Sequence, residues 1–515
     1  MLNRLFGKNF HDNFHLFGIC ALAIGLPTSK VILSLGMMLL ILNLILEGSF
    51  ASYWQNLKSN KFFHFLLLFW SFHLISLIWT TDFNYAWNDI RIKLTLLIIP
   101  LIFSVKPILK SKQLLLILGL FIATLIFTSL YNFAAYQHWI GNKVNDDIRS
   151  LSLFGSHIRY GILIAIGGGI CLYYLKLLQS PKKWIFLPIL LWFSYYTYFS
   201  QIISGLLALI VIILTFLIFE ALKKSISLGI ATLVISIALL LFPFLFLLPN
   251  EQTESLNYTN LETKTAKGNS YSHYLGEGTY VDGKPVLAYV CELELREEWN
   301  KESVMGYDSL DLKGQPLRFT LMRFMTSKNL KKDAEGFSHL TKQDINNVEK
   351  GLASVNETKI GLLARLEGIK FQLHNSVDPN GHSLLQRIEF WKTGAQIIKK
   401  NWVFGVGTGD VQQAFLDQYK IEKTPLLPEN QLRAHNTYLT TWISFGIVGF
   451  VAFCWMILYF LKNHWKTRSF LPVMFILVAC STFFIEDTLE TQIGVTFFAF
   501  FYGLFSQKNI NELMP

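Results

Sequence analysis

Charge is scarce in this sequence. Only 16% of its 515 residues are Asp, Glu, Lys or Arg, while 52% are hydrophobic and the mean hydropathy is +0.39. That scarcity excludes a large water-soluble globule and indicates a polytopic membrane protein. Cysteine is scarce as well: Cys20, Cys171, Cys291, Cys454 and Cys480 are all there is. Four lie in apolar stretches, where a thiol usually serves as a small buried side chain. Cys291 stands alone in the polar segment, which excludes a disulfide within it. No CxxC pair or Cys/His cluster offers metal spacing. Basic runs interleaved with aromatics are missing, so no nucleic acid is called for. No small-residue cleavage site follows the first apolar run after "MLNRLFGKNFHDNF", which reads as a retained span rather than a signal peptide. Internal repeats and low-complexity tracts are absent.

What the sequence has is apolar runs of bilayer length. They lie near 13–28, 31–47, 62–80, 91–105, 113–136, 158–177, 184–200, 203–219, 227–248, 437–461, 470–485 and 490–506. About twelve transmembrane helices are expected, an even number, so both termini face one side. One set of connections carries sixteen Lys and Arg; the alternate short connections carry six. That bias puts the termini in the cytoplasm and residues 249–436 outside. Residues 250–380 hold 19 of the 35 acidic and 16 of the 45 basic residues, a net of −3. The remainder is therefore +13, and the pI near 9.1 arises in the membrane part.

Four regions are expected: an N-terminal transmembrane domain (1–249), an external insertion (250–380), an external loop (381–436) and C-terminal transmembrane helices (437–515). Within the insertion, "VDGKP" separates two extended stretches and "PVLAYVCELEL" alternates as a half-buried strand would. Residues 341–373 carry apolar side chains at helical spacing, which makes the insertion a small α+β domain. Residues 383–400, "SLLQRIEFWKTGAQIIKK", predict an amphipathic helix with Leu384, Leu385, Ile388, Trp391, Ala395 and Ile398 on one side.

Ionisable groups gather at the outer ends of spans. Arg433 and His435 precede the run at 437, His157 and Arg159 open the run at 158, and Arg387 sits on the amphipathic helix. Each has a plain structural reading as a cap, an interfacial residue or a snorkelling side chain. "GVGTGD" (405–410) lacks the preceding strand of a nucleotide-binding loop and reads as a tight turn. Asp146 with Asp147, and Glu486 with Asp487, are acidic pairs whose spacing is a weak metal signal.

"SLLQRIEFWKTGAQIIKKNWVFGVGTGDV" followed by "RAHNTYLTTWISFGIVGF" resembles the O-antigen ligase and polymerase superfamily of membrane glycosyltransferases. The resemblance extends more loosely to "WTTDFNYAWNDIRIKLTLLIIPLIF" (79–103). It implies a bacterial inner-membrane enzyme that moves a glycan from a polyprenyl-diphosphate carrier to a lipid A–core or other glycan acceptor on the outer face. The family's essential His matches His435, followed by Asn436 and Tyr438, and its loop Arg matches Arg387. A second family Arg would fall in "SQIISGLLAL" (200–209), where Ile203 or Ser204 stands; Arg159 or Arg433 is left to take its place. The expected reaction is a single inverting displacement, with no metal or cofactor. His435 is the base, Arg387 meets the diphosphate, and Arg433, Arg159, His157, Asn436 and Tyr438 are candidate substrate contacts. A polysaccharide polymerase and a protein O-glycosyltransferase are the alternatives with the same donor. A transporter of lipid-linked sugars or an inactive glycan-binding protein are those from other classes.

Overall fold

The structure, a computed structural model, describes residues 3–108, 110–141, 151–246, 261–275, 280–281, 284–312, 314–355, 379–380, 383–508 and 510–513. The chain divides into two compact units, residues 1–238 with 386–515, and residues 239–385.

Each of the twelve expected apolar segments is helical over most of its described residues. The first unit opens with α1 (Asn3–Thr28), α2 (Lys30–Glu47), α3 (Phe50–Ser59), α4 (Lys61–Ile75) and α5 (Phe83–Val105). Then come α6 (Ser111–Tyr136), α7 (His157–Leu177), α8 (Phe186–Phe199), α9 (Ile203–Lys224) and α10 (Ile226–Phe246), the last of which belongs to this unit as far as residue 238. Polar side chains mark the entries: Ser29 caps α2, Asn60 caps α4 and Asp82 caps α5, each accepting a backbone N–H of the first turn. Among the described residues, six helices are long and apolar enough to cross a membrane: Lys30–Glu47, Lys61–Ile78, Ser111–Tyr136, His157–Leu177, Ile203–Lys224 and Thr437–Lys466.

The second unit is described by itself. A short antiparallel hairpin pairs β1 (Tyr280–Val281) with β2 (Lys284–Pro285), on either side of Asp282 and Gly283 in "VDGKP". It is followed by α11 (Glu292–Glu302), α12 (Leu317–Ser327), α13 (Ala334–Ser338) and α14 (Lys342–Glu349). The expected strand over "PVLAYVCELEL" is corrected: only Pro285 belongs to a strand, and "ELEL" opens α11. Leu295 and Trp299, four residues apart, are both fully buried, and Glu292 and Glu294 favour a helix N-terminus. Helical burial therefore prevails over the short alternation, and among the described residues the regular structure of the unit is helical apart from the β1–β2 hairpin. Leu321, Phe324, Met325, Phe337 and Val348 complete its core. Of the helix expected over 341–373, α14 is present with a Thr341/Asp344 capping box; 356–373 lie outside the described residues.

The chain re-enters the first unit through α15 (Ser383–Lys400) and α16 (Val411–Glu422), then continues into α17 (Thr437–Lys466), α18 (Phe470–Ile485), α19 (Gln492–Phe505) and α20 (Ile510–Leu513). The amphipathic helix has the expected bounds, but its buried stripe is Phe390, Thr393, Gly394 and Ile397. Ala395, expected on the apolar side, is exposed. Gly394 packs against Ile443 of α17 and Phe415 of α16, where a Cβ would lie 3.3 Å from the Ile443 Cδ1 methyl.

"GVGTGD" is a turn docked onto a break in α17. Gly446 leaves helical geometry at φ 63°, ψ −166°. The break frees the carbonyls of Ile443 and Ser444, which accept from Val406 N (2.8 Å) and Gly407 N (3.0 Å). Ile447 N in turn donates to the Trp402 carbonyl at 2.8 Å. The irregular backbone of each segment thus satisfies the other. Gly405 and Gly446 both have positive φ, and a Cβ on Gly446 would overlap the Val403 carbonyl. Gly446→Ala is therefore expected to destabilise by about 1–3 kcal/mol or prevent accumulation of folded protein. Gly119→Ala, with open space around the glycine, should be neutral or stabilising by up to about 1 kcal/mol. Thermal unfolding of both variants in detergent checks the contrast; equal melting of Gly446→Ala and wild type would refute the joint.

Candidate active site

The α18–α19 connection is "EDTLE", residues 486–490, and it carries Glu486, Asp487 and Glu490 into contact with three cationic side chains and the His435 backbone. Glu486 Oε1 accepts from Arg387 Nη2 of α15 at 2.9 Å. Glu490 Oε2 accepts from Arg433 Nη1 at 2.9 Å, and its other oxygen lies 2.7 Å from Lys93 Nζ of α5. Lys93 also pairs with Asp89 one turn earlier, at 2.9 Å. Asp89 accepts the Thr408 hydroxyl of the glycine turn at 2.7 Å. An unbroken chain of charge-assisted bonds thus runs from the glycine turn through Asp89, Lys93 and Glu490 to Arg433.

That turn is fixed at its other end too. Both Asp410 carboxylate oxygens accept from the α4–α5 loop: Thr81 N (2.7 Å), the Thr81 hydroxyl (2.8 Å) and Asp82 N (2.9 Å). "WTTD" and "GVGTGD" are therefore one assembly.

His435 has φ +46°, a conformation that few non-glycine residues adopt. Asp487 stabilises it: one carboxylate oxygen accepts His435 N at 3.1 Å, the other the Thr440 hydroxyl at 2.8 Å. The half-buried imidazole lies against Phe390, ring centres 5.7 Å apart. Neither ring nitrogen has a hydrogen-bond partner among the described residues, which leaves both open to a ligand. Asn436 caps α17 through Leu439 N (3.1 Å) and donates to the Phe484 carbonyl (3.2 Å). Tyr438 donates to the Cys480 carbonyl at 3.1 Å and packs on Phe453, Phe483 and Phe484. These two hold α17 against α18.

Arg159, on the first turn of α7, lies within electrostatic reach of Glu486 and Asp487; its Nε is buried with no hydrogen-bond partner among the described residues. His157 pairs through Nε2 with the Ser200 carbonyl at 3.0 Å, joining α7 to the end of α8. Asp146 and Asp147 lie outside the described residues.

Burial raises the Glu490 carboxyl, but Lys93 and Arg433 outweigh it and hold the group below the usual carboxylate range. The bonds it makes are therefore present throughout the neutral range and are lost only as pH falls below that range. For Asp487, burial prevails over Arg433 and the carboxyl is raised. Burial also works against Arg433, but Glu490 and Asp487 hold its guanidinium firmly charged.

Arg387, Arg433 and His435, chosen from sequence, thus contact one acidic segment, and Arg159 lies within electrostatic reach of it. Asp89, Lys93, Glu490, Thr408 and Asp410 were given no chemical role. A signal for Glu490 was present: from 470 to 506 the charged residues are Glu486, Asp487 and Glu490, all acidic, in an otherwise apolar stretch. Such isolated charges beside a span demand partners. Among the described residues, no group of three or more His, Cys, Asp and Glu side chains is arranged to hold a metal ion.

Residues 351–454 match a family model described as O-antigen ligase. A 117-residue stretch is 29% identical to an uncharacterized protein of Haemophilus influenzae, covering 22% of this chain and 29% of that relative. The family match takes in α15, the glycine turn, Arg433 and His435, while Arg159, Lys93 and the acidic segment come from outside it. Over residues 351–454 the chain is thus similar to O-antigen ligases, and this stretch contributes Arg387, Arg433, His435 and the glycine turn to the site.

Proposed function

We propose that the protein is an O-antigen ligase-type glycosyltransferase that takes a glycan from a polyprenyl-diphosphate carrier at the outer face of a bacterial inner membrane. Both termini are then cytoplasmic, and residues 249–436 are periplasmic. The acceptor is a lipid A–core or other glycan hydroxyl. One observation carries the reading: Arg387, Arg433, Arg159 and His435, drawn from three separate parts of the chain, converge on residues 486–490.

A diphosphate leaving group needs fixed positive charge, and a guanidinium meets phosphate oxygens with two parallel bonds. Arg387 is the main contact. Arg433, anchored by Glu490, and Arg159, with its unpartnered Nε, take the place of the arginine missing from 200–209. The acceptor oxygen forms a bond to the anomeric carbon as the bond from that carbon to the diphosphate oxygen breaks. The hydroxyl proton passes to a ring nitrogen of His435, and the electron pair leaves with the diphosphate. One displacement inverts the anomeric centre. No divalent ion enters this scheme: Glu486 and Glu490 are engaged by arginines, and side-chain cations meet the diphosphate charge.

His435→Ala should lower transfer by about 10²–10⁴-fold at normal expression. Near-wild-type glycan transfer would remove His435 from the mechanism. Arg387→Lys should be nearly as damaging as Arg387→Ala, since a point charge lacks the bidentate fork. With purified enzyme and lipid-linked donor, transfer should survive excess EDTA. Activity lost to chelator and restored by Mg²⁺ or Mn²⁺ would contradict the metal-free scheme.

A further inference from the structure

The Lys93–Glu490 pair also lines a small cavity in the core of the first unit. Its volume is about 10 Å³, and it lies between α4, α5, α17 and the 486–490 connection. Besides the ion pair, its polar lining comes from His73 of α4 and from Thr441 and Ser444 of α17; the rest of the wall is apolar. A space of about 10–15 Å³ holds one water when two to four polar groups meet it.

Existing hydrogen bonds decide what each group has left to offer. His73 Nδ1 faces the Trp70 carbonyl at 3.0 Å. A carbonyl only accepts, so Nδ1 carries the proton and Nε2 of the neutral ring is a bare acceptor. Nε2 has no partner among the described residues and is not sealed off, since the 1% of the residue that stays accessible lies on the cavity. Lys93 Nζ contacts two carboxylate oxygens, of Asp89 at 2.9 Å and Glu490 at 2.7 Å, whereas an ammonium has three protons. The third has no acceptor among the described residues. Thr441 and Ser444 each spend their hydroxyl proton on a carbonyl of their own helix, at 2.7 Å, and keep only acceptor lone pairs.

The cavity thus presents one unspent donor, the ammonium, and several acceptors. A molecule of this size that accepts one bond and donates two is water. We infer that the cavity binds one water, which accepts from Lys93 Nζ and donates to His73 Nε2, its second proton going to a hydroxyl oxygen of α17. Through that water His73 is a positioning residue. It completes the three bonds of the buried ammonium, and Lys93 so held fixes the Glu490 carboxylate that anchors Arg433 at 2.9 Å. Without the acceptor, a buried N–H of the ammonium is left unmade, which costs more than an ordinary lost bond.

The water site stands apart from the proposed transferase reaction, and the positioning role rests on that reading. A cryo-electron microscopy map of the full-length protein in nanodiscs, at a resolution that shows ordered waters, tests the site. It should hold density within hydrogen-bonding distance of both His73 Nε2 and Lys93 Nζ. A cavity without density, or density that touches neither group, would overturn the site whatever the protein's activity. Donor kinetics test the positioning role. His73→Phe keeps a ring against Phe445, whose centre lies 4.7 Å from that of His73, but removes the acceptor. It should raise the KM for lipid-linked donor roughly tenfold with little change in kcat, the size of one lost bond to a charged group. His73→Gln, whose amide oxygen accepts, should recover most of that loss. Equal loss in both variants, or loss in neither, would overturn the positioning role. Wild-type protein that transfers no glycan would overturn the transferase reading and the positioning role with it, while the map still decides the water site.

Discussion

Three carboxylates, at 486, 487 and 490, are drawn out of water at the end of an apolar helix, and the candidate active site is organised around what neutralises them. Glu490 and Asp487 are 6% exposed or nearly so, and leaving such groups unpaired costs several kcal/mol each. Their partners come from far along the chain: Lys93 from α5, Arg433 and the His435 backbone from the segment before α17, Arg387 from α15. Burying the acids therefore dictates where the cations go. A buried ion pair contributes little net stability, but breaking one is expensive, and that asymmetry holds a charged site in one arrangement.

The glycine turn belongs to the same construction. Its backbone closes the break in α17 at Gly446, its Thr408 hydroxyl supports Asp89, and its Asp410 holds the α4–α5 loop. Sequence elements separated by more than three hundred residues become one rigid surface, in which positioning falls to helix ends rather than mobile loops. The φ +46° turn at His435 is the cost of presenting the imidazole outward while Asp487 grips the backbone beneath it.

Hydropathy and length made the apolar helices legible, because a bilayer imposes one long signal per segment; the expected segments are helical over most of their described residues, and six helices are long and apolar enough to cross a membrane. Position relative to those helices picked out Arg387, Arg433 and His435. Shorter signals were less reliable. "PVLAYVCELEL" alternates over too few residues to outweigh the Leu295–Trp299 pairing of a helix, and on α15 the closest approach runs through Thr393 and Gly394 rather than the largest apolar side chains. Lys93 read only as a topology charge, because its partner Glu490 is 397 residues away and no local pattern joins them. "GVGTGD" was legible as a turn, but its mate, the break at Gly446, was not, since a glycine in a span has many ordinary packing reasons.

The central claim is that residues 486–490 arrange arginines for a lipid-linked diphosphate. The most direct measurement is a cryo-electron microscopy structure of the full-length protein in nanodiscs with a polyprenyl diphosphate bound. The account predicts phosphate density within hydrogen-bonding distance of the Arg387 guanidinium, with Arg433 or Arg159 on the same group and the His435 imidazole facing the acceptor side. Diphosphate density held elsewhere, with Arg387 still paired to Glu486 and no contact to these arginines, would contradict it.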